Sequence, residues 1–176
     1  MSHEMKAAVA EELRDSTAAA TQPSSIVTRM NFAASPAQVW KGLLFYEEIG
    51  GPPPTHLRLL LPVPIRTEGK VSEVGGEAMC LYEGGHLLKR VTRIEPGQFY
   101  EFEVAEQALS VGGGMRLSGG RYTLHELADG VTEVAVETRY VSHKWPRWFW
   151  RPLERIVCHW FHRYLLGTMR RQIEAG

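Results

Sequence analysis

The chain has 176 residues, of which 44% are hydrophobic and 23% are charged. This length fits one domain with a sizeable core, and the composition is ordinary for a globular protein. Twenty lysines and arginines balance twenty acidic residues, so the chain has no net field that would attract nucleic acid or an acidic partner.

The N-terminal region and the cysteines indicate the compartment. Residues 1–20 contain four acidic side chains where a secretory signal needs an unbroken apolar run. No later segment has the roughly 18 apolar residues of a membrane span. Cys80 and Cys158 form neither a disulfide framework nor a metal-ligand pattern. These features predict a cytoplasmic protein with free thiols and without a bound metal.

The chain begins with a segment unlike the rest. Residues 1–24 are rich in alanine and charge and end near Pro23, which predicts a loose tail ahead of one domain at 25–176. Within that domain, residues 25–33 alternate between apolar and polar side chains and predict the first strand.

A helix is predicted directly after this strand. Ser35 fits the N-cap, Pro36 suits the first helical position, and Gln38 completes a capping box. The prolines at 52–54 exclude its continuation. Residues 55–61 fit a second short helical piece before the loop at 62–64.

From Gly69 onward, turn signals rich in glycine separate short strand-like runs. Six further strands are predicted, at Lys70–Val74, Ala78–Glu83, Leu87–Ile94, Phe99–Glu106, Met115–Leu127 and Val131–Ser142. The connections are too short for the crossovers that parallel strands need, so the sheet is predicted to be an antiparallel meander. The triple glycine at 112–114 lacks the residues that follow a phosphate-binding loop and is interpreted as a strand connection.

The segment from Trp148 to Ile173 predicts the longest helix. One apolar stripe recurs at helical spacing, opposite Arg155 and His162. Its members are Phe149, Leu153, Ile156, Val157, Trp160, Tyr164 and Thr168. His159 and His162 lack a third ligand nearby and are interpreted as solvent-facing side chains.

One strand register follows from the turn at 128–130. A three-residue hairpin loop with Gly130 in the left-handed conformation pairs Leu127 with Val131 and Leu124 with Val134. Tyr122 then pairs with Val136 on the inner face. The outer, wet face carries two cross-strand pairs, Arg121 with Glu137 and His125 with Glu133.

This order of elements, with the helix start at Ser35-Pro36-Ala37-Gln38-Val39-Trp40, resembles the SRPBCC superfamily over about residues 26–175. That group includes START lipid-transfer domains, birch-pollen-type allergens and polyketide cyclases. The resemblance implies an α+β helix-grip fold, a seven-stranded curved antiparallel sheet around a long C-terminal helix. One or two short helices are expected between strands 1 and 2. An apolar cavity between sheet and helix is also implied.

The inward-facing positions predict the residues that line this cavity. They are Tyr100, Phe102, Tyr122, Leu124, Val136, Tyr140, Trp160 and Tyr164. The expected function is binding, for transport or sequestration, of an apolar or amphipathic small molecule such as a lipid or polyketide. The alternative is an enzyme of the polyketide cyclase or dehydratase type that uses a cavity Tyr or His. The superfamily shares no catalytic motif, so catalytic residues are unknown, and no cofactor is expected.

A second alternative is an interaction module that docks through residues 143–163. Four of the five tryptophans are interleaved with basic residues there. Packing at the junction between strand and helix is the favoured interpretation, ahead of peripheral membrane contact and of nucleic-acid binding. Packing predicts that Trp160 is inside. Trp148 and Trp150 lie about 200° apart on the helix, so at least one should be exposed. The sequence carries no signal of oligomeric state.

Overall fold

The structure, a computed structural model, describes residues 23–44, 55, 61, 62, 64–69, 71–111, 113–128 and 130–175. The predicted loose tail at 1–24 therefore lies outside the described residues except for its last two positions, of which Ser24 begins the first strand. The predicted second helical piece at 55–61 also lies largely outside them.

Seven strands and two helices make up the described chain. They are β1 (Ser24–Phe32), α1 (Pro36–Leu44), β2 (Pro64–Gly69), β3 (Glu77–Tyr82), β4 (Gly85–Glu95), β5 (Phe99–Ala108), β6 (Met115–Ala128), β7 (Val131–Ser142) and α2 (Arg147–Ala175). The strands form one sheet in the order β1-β7-β6-β5-β4-β3-β2, and all neighbours are antiparallel. The long helix α2 contacts β1, β7 and α1. The predicted helix-grip architecture is confirmed.

The start of α1 is built as predicted. The backbone N–H of Ser35 donates to Gln38 Oε1 at 3.0 Å, and the N–H of Gln38 donates to Ser35 Oγ at 3.4 Å. This capping box satisfies two donors at the helix start. The apolar face of α1 then enters the core with Val39, Trp40 and Leu43.

The hydrophobic core lies between α1, the sheet and the C-terminal half of α2. Leu166 and Met169 of α2 are each 1% exposed and belong to one cluster with Phe32, Val39 and Val134. Burying these apolar side chains is the main force that holds α2 against the sheet. The N-terminal half of α2 contributes no residue to the buried part of this cluster.

The predicted strand at Lys70–Val74 is wrong. The strand in this part of the chain is β2, at Pro64–Gly69, and residues 72–75 form bends and a turn. Proline is tolerated at the first position of an edge strand, and β2 is at the edge of the sheet. Gly69 ends the strand with φ at 124°, and an added Cβ there would lie 2.2 Å from the Glu77 carbonyl oxygen.

The predicted register between β6 and β7 is confirmed away from the turn. Leu124 pairs with Val134 and Tyr122 with Val136, as Arg121 does with Glu137 and His125 with Glu133. Beside the turn, Ala128 and not Leu127 pairs with Val131, because an irregularity between Glu126 and Ala128 shifts the register. Leu127 is 55% exposed as a result.

Glu137, on the outer face of the sheet, is more buried than predicted. This residue is only 8% exposed, whereas the side chain of its partner Arg121 is 44% exposed. The Arg121 Nε lies 2.5 Å from Glu137 Oε2, and Ser25 Oγ donates to Glu137 Oε1 at 2.5 Å. Because β7 lies between β1 and β6, neighbours from both strands cover the carboxylate. The prediction of a wholly wet pair is therefore wrong for the acid.

The predicted buried stripe of α2 is also wrong in its N-terminal half. Phe149, Leu153, Ile156 and Trp160 are 42–47% exposed, so Trp160 is not inside as packing required. The residues buried along α2 are Glu154, His162, Leu166, Thr168 and Met169. Helical period shows which residues share a face, but here the sheet-facing side is partly polar, and its partners are polar side chains of β1 and β7.

Candidate ligand-binding cavity

A partly enclosed space of about 140 Å³ lies between the sheet and α2. Its walls are mostly apolar and aromatic and include Leu43, Tyr100, Phe102, Tyr122, Val136 and Leu165. His162 contributes a polar group from α2. The sheet supplies one side of the space and the helix the other, so the inner cavity is where the resemblance implied a ligand site.

A larger groove of about 1170 Å³ lies beside the N-terminal half of α2 and is open to solvent. Its walls come from the helix, the segment before it and the connection between β5 and β6; they include Val111, Met115, Trp145, Trp150, Ile156 and Trp160. Five residues line both spaces: Tyr82, Leu87, Leu117, Thr138 and Phe161. The inner cavity and the groove therefore adjoin at these side chains.

The structure brings most of the predicted cavity residues to these two spaces. Tyr100, Phe102, Tyr122 and Val136 line the inner cavity. Tyr140 and Trp160 line the groove. The remaining two residues are not among the lining residues of either space; Leu124 is buried in the core, and Tyr164 is half-buried on α2.

His162 is buried, and the prediction that it faces solvent is wrong. Its Nδ1 lies 2.9 Å from Thr28 Oγ1, and its Nε2 lies 2.8 Å from Thr138 Oγ1. Burial, together with a smaller effect of the nearby His159, lowers the pKa of His162 to about 4. The imidazole is thus neutral near pH 7, and each ring nitrogen already has a hydroxyl partner.

His159 joins the same cluster and is not fully solvent-facing either. Its Nδ1 lies 2.7 Å from Thr28 Oγ1, so one hydroxyl contacts two imidazoles. A signal for this cluster was present in the sequence, since Thr28 alternates in step with Ile26 and Met30, and Thr138 alternates in step with Val136 of the inner face. A polar side chain that faces a core needs a partner, and α2 is the element that can supply one.

A second polar cluster joins the start of α2 to the end of β7. The Glu154 carboxylate is 4% exposed and accepts hydrogen bonds from Arg147 Nη1 and Nη2, both at 3.0 Å. Ser142 Oγ donates at 2.6 Å and the Tyr140 hydroxyl at 3.1 Å. Burial raises the pKa of Glu154, but these hydrogen bonds outweigh it and hold the pKa below its usual value.

Comparison with solved structures settles the fold. A START superfamily protein from Mycobacterium smegmatis matches with a TM-score of 0.60 at 10% identity, over 86% of this chain and 97% of that chain. Norcoclaurine synthase from Thalictrum flavum matches with a TM-score of 0.60 at 14% identity, over 89% and 90%. A Streptomyces aromatase/cyclase matches with a TM-score of 0.56 at 16% identity, over 88% and 99%. The chain has the SRPBCC-type helix-grip fold.

At these identities the likeness shows the fold alone. The sequence matches no family model and no curated protein. The function of this chain therefore has to be argued from its own cavity and side chains.

Two ionisable side chains that line the groove, Tyr140 and Cys158, are held in their neutral forms. Burial raises the pKa of Tyr140 to about 12, and the Glu154 charge beside it acts in the same direction. Burial also raises the pKa of Cys158 to about 12, so this thiol is not an activated nucleophile. Within the described part of the chain, no three His, Cys, Asp or Glu side chains are grouped to hold a metal ion.

Proposed function

We propose that the protein binds an apolar or amphipathic small molecule, for transport or sequestration, in the inner cavity and the adjoining groove. The observation that carries this proposal is the meeting of an apolar interior space with a groove open to solvent. Ligand pockets usually measure about 300–1,000 Å³, and the inner cavity alone is smaller than that. A ligand would therefore place one end inside and the rest in the groove.

The predicted lining residues support an apolar ligand with at least one polar group. Tyr100, Phe102, Tyr122 and Val136 give a largely aromatic interior. Tyr140 and Trp160, which line the groove, would contact the outer part of the ligand. Leu124 and Tyr164, which line neither space, would act only by supporting the residues that do. Aromatic walls with a few polar atoms fix the orientation of a ligand as well as its affinity.

The neighbours in fold add support of a general kind. The norcoclaurine synthase structure holds dopamine and hydroxybenzaldehyde, so the same fold accommodates small molecules there. We propose the corresponding use of the fold here, without carrying over that chemistry.

Native mass spectrometry of the freshly purified protein tests the proposal. We expect a co-purified small molecule, or retention of at least one compound from a panel of fatty acids, sterols and aromatic polyketides, with a matching rise in Tm. Stabilisation by a bound ligand follows from mass action. A protein that holds nothing and gains no Tm from any compound would contradict the proposal.

A cyclase-like or dehydratase-like enzyme is the second candidate, favoured by one observation. His162, fully buried and neutral, lines the inner cavity. Binding remains the better proposal, because both imidazole nitrogens are already engaged by Thr28 and Thr138. Catalysis would show as conversion of the bound compound by wild type and its loss in His162→Gln.

We also propose that the chain works in the cytoplasm as one domain spanning 25–176. Cys80 and Cys158 are both free, which suits a reducing compartment. No described helix combines the length and the hydrophobicity needed to cross a membrane.

A further inference from the structure

Exposed hydrophobic side chains are concentrated at the start of α2. Ten large hydrophobic residues of the described chain are exposed, and six of them lie between positions 145 and 160. We call these six the aromatic rim: Trp145, Trp148, Phe149, Leu153, Ile156 and Trp160. Trp145 is 85% exposed and Trp148 is 78% exposed. Single exposed apolar residues are ordinary, but such a cluster marks an interaction surface.

The rim is a continuous surface. At about 100° per residue, Phe149, Leu153, Ile156 and Trp160 fall within an arc of about 60° on α2. The ring centroids of Trp148 and Phe149 are 6.0 Å apart, which connects Trp148 to this arc. Trp145, Leu153, Ile156 and Trp160 also line the groove, so the rim borders the groove's opening.

The segment that carries the rim has an excess of positive charge. Between His143 and Gln172 the sequence has seven lysines and arginines and a single acid, Glu154. That acid is buried and paired with Arg147, so it does not offset the surface charge. Arg151, Arg155 and Arg163 are exposed on α2. At about 100° per residue, Arg163 lies beside the arc of apolar side chains, whereas Arg151 and Arg155 lie on the side of Trp148.

We propose that the aromatic rim docks on an anionic lipid bilayer. Tryptophan is favoured at the level of the lipid headgroups, and arginine beside it is attracted to anionic lipid. Trp145 and Trp148 enter the interface, and Arg151, Arg155 and Arg163 contact headgroup phosphates. Docking turns the groove toward the bilayer, but it does not depend on whether the cavity holds a ligand.

Two other occupants fit this surface less well. A second copy that packs through the same patch would set arginines against arginines, since a two-fold interface pairs a surface with itself. A nucleic acid would match the arginines but not Leu153 and Ile156, which carry no ring on which a base can stack.

Co-sedimentation with vesicles tests docking. We expect wild type at low salt to bind phosphatidylcholine vesicles with 30% phosphatidylglycerol at least tenfold more tightly than pure phosphatidylcholine. Added salt should weaken that binding, because it screens the attraction. Trp145→Ala with Trp148→Ala should lower it at least tenfold, and Arg151→Glu roughly tenfold or more, because it reverses one charge at the surface.

Matched controls separate docking from general effects. Ile65→Ala with Val74→Ala removes two exposed apolar side chains elsewhere, each 62% exposed. Arg170→Glu makes the same charge change about 28 Å further along α2. Both controls should bind within twofold of wild type, and all variants should keep the wild-type Tm within a few degrees.

Three results would overturn the docking proposal. One is a wild type that stays in solution with anionic vesicles at low salt. Another is a control that loses as much binding as the rim variant. The third is a dimer in light scattering, or a complex with a single-stranded oligonucleotide, that needs Trp145 and Trp148. Ligand retention in solution is measured separately, so a failure of docking leaves the binding proposal standing.

Discussion

At the scale of single residues, His162 shows that a polar side chain of α2 can be buried when the facing strands supply hydrogen-bond partners. The imidazole is held between Thr28 of β1 and Thr138 of β7. It joins α2 to two neighbouring strands, and it contributes one polar group to the inner cavity. Because charging this ring would cost desolvation without a compensating acid, stability should depend on pH through it.

We expect His162 to make the protein less stable in mild acid. Its pKa is about 4 in the folded chain against 6.5 for the free group. Below pH 6.5 the unfolded chain takes up a proton that the folded chain does not, so stability falls as the pH decreases from 6.5 toward 4. At pH 5 the loss is about 2 kcal/mol relative to pH 7 and above.

Urea denaturation at pH 7 and pH 5 measures this dependence. His162→Gln should reduce the difference between the two pH values by about 2 kcal/mol, since glutamine does not titrate. His125→Gln is the control, because it makes the same substitution at an exposed position on β6. Equal pH dependence in wild type and His162→Gln would show that this imidazole is not buried in its neutral form.

At the scale of elements, local signals predicted most of the fold. The capping box at Ser35 and Gln38 and the glycine turns depend on neighbours in sequence, and most strands and both helices formed where these signals placed them. The strand β2 was missed because Pro64 looked like a loop residue. Only its place at the sheet edge makes proline acceptable, and that place is a tertiary property.

The helix α2 shows the limit of periodicity. Its pattern groups residues by face, but the face that meets the sheet depends on which partners the sheet offers. Here Glu154 and His162 are buried because β1 and β7 present hydroxyl groups to them. The apolar face of the same half-helix, with Ile156 and Trp160, borders the groove. A prediction from periodicity that assumes an apolar contact with the sheet therefore assigns the wrong side of α2 to the core.

The Glu154 cluster should hold the start of α2 to β7. We expect Glu154→Gln to lower the free energy of unfolding by about 2–4 kcal/mol at pH 7, because it leaves the Arg147 charge without its buried partner. Urea denaturation measures the loss. Glu106→Gln is the matched control, since that side chain is 59% exposed and its pair with His86 should contribute under about 1 kcal/mol. Equal losses of unfolding free energy in the two variants would mean that the Glu154 cluster does not hold α2 to β7.

At the scale of the whole molecule, the fold was predictable and the site only in part. Residues on strands, such as Tyr100 and Val136, follow from alternation once the inner face is known. The groove could not be predicted, because it depends on the position of the N-terminal half of α2 relative to the sheet, which is a tertiary property. Trp160 was predicted to line the cavity from a buried position, whereas it lines the groove and is 43% exposed.

The central claim is that ligand lies where the inner cavity meets the groove. Leu117 borders both spaces, so Leu117→Trp should block their junction, whereas Leu127→Trp adds the same bulk at an exposed position. Val104→Trp, which fills only the inner cavity, replaces Leu117→Trp if that variant fails to fold.

Native mass spectrometry of these variants after incubation with the same ligand panel is the most direct measurement. The account predicts that wild type and Leu127→Trp retain one ligand per chain and that the cavity-filling variant, folded with a Tm near that of wild type, retains at most a tenth as much. Equal retention by the filled and the control variants would contradict the account, because the ligand would then lie elsewhere on the molecule.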